Sequence, residues 1–388
     1  MNGADGPPAR LTVAFDATPL LGVLTGVGVF CLGALQALGE RTDLDVRAFA
    51  VSWRRRQGIE ERLPPGVVVH QRAMPARPLR AAWLRAQVPP IEWFVGRVQV
   101  VHGTNFVVPP THRAAKVVSV HDLTVVRFPQ LSNAATLVFP DLIRRAVAHG
   151  AWVHTDSVYV AAEVVEAFGV DPARVRTVHP GVPPMTVPDP GAVARLLPSG
   201  GGRIVLAIGT VEPRKDMPGL VRAFDQVAGD RPDVSLVLAG PEGWGTDQLA
   251  DAIAASPFAG RIVRTGWLDD ASLAGLLQAA TVLAYPSVYE GFGFPPLQAM
   301  AAGVPVVATR AGSLPEVLGE AAAFVDVGDI DRLAETLAQV LDSEERRATL
   351  VAAGRDRVAR YTWDACAAGL VALYRDAAAE GASRGGRI

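Results

Sequence analysis

Lysine is almost missing from this chain: Lys116 and Lys215 are the two lysines among 37 basic residues. A sequence that uses arginine for ordinary surface charge gives each remaining lysine a claim to a particular role. Cysteine is as scarce, with Cys31 and Cys366 alone. Two thiols this far apart, each in an apolar helical stretch, form neither a disulfide framework nor a metal cluster, and they read as buried and reduced. Net charge is only −2 and the pI about 6.4, which argues against a general nucleic-acid binder. Aromatic residues make up 6% of the chain and hydrophobic residues 49%, so the core is built mainly of Ala, Val and Leu. A basic start followed by an apolar run is also lacking, so the beginning of the chain is not read as a signal peptide. Residues 17–39 carry no charge and are numerous enough to span a bilayer. Pro19, Gly22, Gly26, Gly28, Gly33 and Gln36 interrupt them, and the better reading is a buried strand–helix unit. The expected compartment is the cytoplasm.

At 388 residues the chain is long enough for two domains, each with its own core. Leu11–Phe15 is a fully apolar run of strand length, as in a parallel sheet covered on both faces. The loop through Thr25-Gly26-Val27-Gly28 then opens a helix with Leu32, Leu35 and Leu38 on one side. Gly26 and Gly28 suit a backbone that approaches phosphate or sugar, and equally a plain turn. Residues 98–101 and 115–120 read as further buried strands. They end in polar loops, His102-Gly-Thr-Asn105 and His121-Asp122, and open α/β sheets bind ligands at such strand ends. Residues 152–157 read as another strand running into a helix cap, and 174–179 as the last strand of this half.

Between Trp53 and Arg97 the composition changes, with nine arginines against three glutamates and with Trp53, Trp83 and Trp93 interleaved. Such a tract fits either a solvated basic face or peripheral contact with an anionic membrane. From Pro183 to Gly202 prolines and glycines dominate, and the pattern restarts at Ile204–Ile208. The expected division is a first domain over 1–184, completed by a C-terminal helix over about 362–388. A linker over 185–202 and a second domain over 203–361 make up the rest.

The second half centres on residues 287–307. Glu290 precedes Gly291 and Gly293, and Pro295 and Pro296 suit the first turn of a helix. That helix aims its amino end back at the loop and makes a phosphate site. Gly303 ends it, and Val304–Val307 reads as the next strand. Two other loops follow strands in this half: Gly209–Asp216, with Arg214 and Lys215, and Gly266-Trp267-Leu268.

Glu290-Gly-Phe-Gly-Phe-Pro-Pro-Leu-Gln298, with Tyr285-Pro286-Ser287 before it and Gly303-Val-Pro-Val-Val after it, resembles the signature of the family 4 retaining glycosyltransferases. That resemblance implies the GT-B architecture: two Rossmann-like, doubly wound α/β domains facing across a cleft, with the C-terminal helix crossing back to the first. It implies metal-independent transfer of a hexose, of mannose or glucose type, from a nucleotide-diphosphate sugar to a sugar, lipid-linked or small-molecule acceptor. No cofactor is expected. In the implied roles His121 contacts the donor sugar, Glu290 orients it, and Lys215 with Arg214 carries the leaving diphosphate. Gly26, Gly28, Gly209, Gly266, Trp267, Gly291, Phe292, Gly293, Phe294 and Gln298 line the donor. Asp43-x-Asp45 and Asp329-x-Asp331 have the spacing of metal-dependent transferases but fall in a turn and at a helix start, and are read as coincidences.

The departure is Gln298, where the family has a second glutamate that accepts from both ribose hydroxyls. A glutamine offers one carbonyl and must donate with its amide, so donor binding should weaken by about 1–2 kcal/mol. This keeps two alternatives open, a non-catalytic nucleotide-sugar-binding relative and a GT-B epimerase.

Overall fold

The computed structural model describes residues 10–53, 59–70, 72, 74–134, 136–196 and 202–385. They fall into two compact units. The first takes Met1–Val126, Ala134–Gly181 and Tyr361–Ile388, the second Arg127–Asn133 and Val182–Arg360.

Unit 1 is built on a seven-stranded parallel sheet. Its strands are β1 (Leu11–Asp16), β2 (Leu44–Phe49), β3 (Val68–His70), β4 (Val100–Gly103), β5 (Ala115–Val120), β6 (Trp152–Thr155) and β7 (Val175–Thr177). The order β3-β2-β1-β4-β5-β6-β7 reverses direction between β1 and β4. The crevice outside the carboxyl ends of β1 and β4 is therefore the binding position of this unit. Val13, Val100, Val101, Val117, Val118 and Val153 are fully buried, as near-continuous apolar strands covered on both faces require.

The helix Gly26–Gly39 follows β1. The sequence placed Gly26 and Gly28 in a loop before the helix, whereas the helix begins at Gly26 itself, with an extended Thr25 before it that makes no side-chain capping bond. At 14 residues this helix is too short to span a bilayer, and no helix among the described residues is long and apolar enough to do so. The C-terminal helix Trp363–Gly385 packs on it. Gly33 and Gly181 permit that packing, since a Cβ on either would lie 2.2 or 2.4 Å from Trp363. Cys31 and Cys366 are buried free thiols on these two helices.

Unit 2 repeats the plan with six strands: β8 (Arg203–Ile208), β9 (Val234–Ala239), β10 (Ile262–Gly266), β11 (Val282–Tyr285), β12 (Val306–Thr309) and β13 (Ala322–Val325). The order β10-β9-β8-β11-β12-β13 reverses between β8 and β11. Leu220, Val221, Phe224, Leu333 and Leu337 pack from two helices onto one face of this sheet.

Two boundaries differ from the sequence reading. The supposed linker carries a helix, Pro190–Leu196, within unit 2, and Asp189 N–H donates to Ala271 O at 3.1 Å. Proline dominates the text there, but proline at the first helical position starts a helix as readily as it interrupts one. Arg127–Asn133 also belongs to unit 2. The Phe128 ring lies 5.6 Å from that of Tyr289, and Trp244 Nε1 donates to Leu131 O at 3.0 Å. Nothing local in residues 127–133 announces such long-range contacts.

Candidate active site

Reversal of strand order between β8 and β11 sets the loop after one beside the loop after the other. The Val288 N–H donates to Arg214 O at 2.8 Å and fastens the two loops together. Asp216, in the left-handed region at φ 43°, turns the first loop into the helix Met217–Ala228 and caps it by accepting from Gly219 N–H. Lys215 and Arg214 are thereby directed at Glu290. Lys215 Nζ lies 2.6 Å from Glu290 Oε1, and Arg214 Nη1 lies 2.7 Å from Oε2. Ser287 Oγ donates to the same Oε1 at 2.7 Å, and Lys215 also donates to the Tyr285 hydroxyl at 2.6 Å. Glu212 pairs with Arg214 at 3.3 Å.

The Glu290 backbone is held as firmly. Its carbonyl accepts from Ser313 N–H at 2.9 Å and from Ser313 Oγ at 3.1 Å. Gly312, at φ 55°, allows this approach, because a Cβ there would stand 2.3 Å from Glu290 O. Burial alone would raise the Glu290 carboxyl, but Arg214 and Lys215 outweigh it and draw the pKa down to about 2. Lys215 is also shifted down, because burial costs its ammonium more than Glu290 returns. With a carboxylate and a phenol oxygen both at 2.6 Å we assign Lys215 as charged at neutral pH. Burial pushes Glu212 up against the pull of Arg214 and Lys215.

The helix Phe294–Ala301 starts at Gly293, with no side chain capping it. Pro295 and Pro296 carry no N–H, so in its first turn only Phe294 and Leu297 can donate, and the rest of its pull on an anion comes from the helix dipole. Phe292 and Phe294 are buried with ring centroids 5.2 Å apart, so their side chains are core. Gln298 is half-buried one turn into the helix and makes no side-chain hydrogen bond among the described residues. Gly209 and Gly266 line one cavity of about 290 Å³ with Val211, Leu238, Gly240 and Arg264. Trp267 stands beside it, 57% exposed. Both Asp-x-Asp pairs are occupied: Asp43 by Arg41 and Arg375, Asp45 by Arg47, Asp329 as a helix cap, and Asp331 by Gln226.

His121, Gly26 and Gly28 belong to unit 1. His121 directly follows β5 and is buried, with Nδ1 2.7 Å from Asp156 Oδ2 and Nε2 2.7 Å from Thr104 O. Burial opposes its charge, but Asp156, the Thr104 carbonyl and Asp122 together raise its pKa. Beside it runs a buried chain that the sequence did not disclose. His154 Nε2 faces Val178 O at 3.1 Å, a pure acceptor, so that nitrogen carries the proton. Burial holds His154 neutral, with its pKa lowered to about 4, so its Nδ1 is bare and accepts from Ser119 Oγ at 2.8 Å. Ser119 then accepts from His102 Nε2 at 2.7 Å, and His102 Nδ1 accepts from the Tyr374 hydroxyl at 2.7 Å. The terminal carbonyl fixes every proton along the chain. His102, expected as a candidate at its strand end, is part of this scaffold, which ties the C-terminal helix to β4, β5 and β6. The one trace in the sequence is histidine recurring near the ends of three strands.

A doubly wound pair of parallel sheets, one with paired cations and a helix tip at its switch point, defines a glycosyltransferase of the GT-B class. The chain belongs to the group 1 glycosyl transferases: residues 193–357 match that family's model. The D-inositol 3-phosphate glycosyltransferase of Segniliparus rotundus is 30% identical over 318 residues, 78% of this chain and 68% of that protein. O-antigen chain mannosyltransferase B of Escherichia coli is 29% identical over 283 residues, 71% of this chain and 74% of that one. Among solved structures, the sucrose-phosphate synthase of Thermosynechococcus elongatus superposes with a TM-score of 0.74 at 21% identity, covering 95% of this chain and 99% of that chain.

Proposed function

We propose that this glycosyltransferase moves a hexose, of mannose or glucose type, from a nucleotide-diphosphate sugar to a sugar, lipid-linked or small-molecule acceptor, with retention of anomeric configuration. The observation that carries the donor side is the convergence of Lys215 and Arg214 on Glu290 at the strand-order reversal of unit 2. Fixed cations and a helix dipole stabilise a departing diphosphate without a metal. Glu212, Arg214, Lys215 and Glu290 balance in charge, so an arriving diphosphate competes with Glu290 for both cations. Glu290, released in part, is free to accept from donor hydroxyls. The cavity lined by Gly209 and Gly266 suits the nucleotide base, held mainly by backbone atoms. Gln298 supplies one acceptor to the ribose instead of a carboxylate, and the donor affinity is correspondingly modest.

A thermal-shift screen against UDP, GDP, ADP and dTDP, with and without their sugars, tests this reading, because a ligand of the folded state raises the melting temperature. The expected result is a shift with one diphosphate series, lost in Lys215→Met, and slow donor hydrolysis when acceptor is absent. Binding without hydrolysis or transfer would instead favour a non-catalytic relative.

Peripheral attachment to an anionic membrane is the second part of the proposal. Trp53 and Trp93 are 61% and 66% exposed, which supports it, whereas Trp83 is buried with its Nε1 on Pro89 O and contributes nothing. Arg54, Arg55 and Arg56 lie outside the described residues. Arg62 is committed to Leu20 O and Gly22 O. Failure to pellet with anionic liposomes at low salt would reject the attachment.

A further inference from the structure

Asp156 is buried in unit 1 at the end of β6, and its two oxygens are treated very differently. Oδ2 meets His121 Nδ1 at 2.7 Å, and Oδ1 has no hydrogen-bond partner although it is sealed from solvent. A buried carboxylate with one satisfied oxygen is costly unless a counter-charge lies against it. A second histidine nitrogen, His154 Nε2, stands 3.8 Å from Oδ1 but gives its proton to Val178 O. The compensation has to come from His121. Its second nitrogen faces the Thr104 carbonyl, which can only accept, so both ring nitrogens donate.

We propose that Asp156 is a positioning residue that keeps His121 as an imidazolium, so that the carboxyl edge of the unit 1 sheet holds a buried ion pair whose ring is fixed in place by both of its N–H groups. This deepens the proposed transfer reaction and rests on it. An imidazolium cannot take up a proton, and both N–H groups of His121 are already given to Asp156 and the Thr104 carbonyl, so His121 acts through the fixed position of its ring and the field of the pair and is not the base that deprotonates the acceptor. The groups around it agree with that charge. Asp122 is its neighbour in sequence, and Asp16 ends β1. Cys31 and Cys366, from the two helices packed over the site, are held protonated by burial with Asp156 close by. His102 and His154 are neutral, with the His154 ring 6.5 Å from that of His121. Tyr374, from the C-terminal helix, is kept protonated by burial. Phe30 and Phe106, with ring centroids 5.2 and 6.0 Å from that of His121, pack against it with no charge of their own.

The test is imidazole nitrogen NMR on the resting protein, which needs no substrate. His121 is expected to show two protonated nitrogens at pH 7 and to titrate above the ordinary histidine range. A neutral ring at pH 7, or a midpoint near 6.5, overturns the inference whether or not the protein transfers sugar. In Asp156→Asn the midpoint should fall below 7. The alkaline limb of the kcat profile should fall with it, kcat at pH 7.5 dropping on the order of tenfold while donor KM stays within about twofold. Asp156→Glu should restore part of the NMR signature, which also covers the case in which the asparagine variant fails to fold. An Asp156→Asn protein that folds, shows an unchanged His121 midpoint and loses activity only through stability counts against the proposal. Absence of any transfer by the wild-type chain, with an imidazolium present, would count against the proposed function alone.

Discussion

The polar interiors of the two units solve opposite problems with similar strand-end geometry. In unit 2, charge is concentrated: Glu290 carries two cations within 2.7 Å, and its carboxyl is drawn to a pKa of about 2. In unit 1, charge is suppressed. Tyr374, His102, Ser119 and His154 form a neutral chain of fixed proton order, and a buried ion pair, His121 with Asp156, stands at its side. A site for a polyanion needs cations held ready at an exposed edge. A scaffold that docks a terminal helix needs satisfied polar groups whose charge does not vary with conditions. The contrast separates residues expected to act on the substrate from residues that hold the frame.

The largest effect that would break this contrast is in unit 2. Lys215→Met should lower kcat by about 100–1,000-fold, the range found when a group stabilising transition-state charge is removed. It leaves Glu290 with Arg214 alone and should cost about 3 kcal/mol of stability, read by denaturant melts. If kcat survives, the cation pair does not hold the leaving group. Ser119→Ala is the counterpart in unit 1. It strands a His102 N–H donor and the bare His154 Nδ1, at a cost of about 2–3 kcal/mol, with nucleotide affinity unchanged by calorimetry. A change in donor affinity would show that the chain is not mere scaffold.

Acid should expose the same scaffold. The His154 pKa is lowered to about 4 in the folded chain, so the unfolded chain binds more protons between pH 4 and about 6.5. Stability therefore falls as pH drops through that window. His121 has the opposite sign. Its raised pKa adds stability that is complete below about 6.5 and is lost as pH rises through the folded value. Melting temperatures between pH 4 and 9 should pass through a maximum, and His154→Phe should flatten the acid side. The smallest expected effect is that of Gln298→Glu, which should tighten nucleotide binding by about 1–2 kcal/mol. Unchanged affinity and unchanged preference for ribose over deoxyribose would remove Gln298 from the ribose site.

Much of unit 2 could be read directly, because its elements are contiguous. An apolar run of four to six residues is a buried strand, and Glu290, Gly293 and Pro295 lie within six positions of one another. The same contiguity made Gln298 visible as a departure. Unit 1 was legible as strands but not as a site. Residues 152–157 read as a strand running into a helix cap, and the cap is Ser157, which accepts from Val160 N–H, but nothing local marked Asp156 as the partner of His121. Ser119 looked like an ordinary strand residue, and Tyr374 sits 255 positions beyond it. Their relation depends on strand order and on a terminal helix returning to the first unit, which no local pattern encodes.

Sequence alone determined the two-fold repetition of strand and helix, the acid-and-glycine loop with its helix start, and the basic pair Arg214 and Lys215, whose lysine stands out by the scarcity of lysine. These follow from local preference and hydrophobic spacing, which act over a few residues. Tertiary structure decided that Arg214 and Lys215 both bind Glu290, that His121 has each nitrogen occupied, and that three histidines divide into one raised and two lowered pKa values. Those outcomes depend on burial and on groups brought within 3 Å from distant positions, and neither quantity exists until the chain has folded.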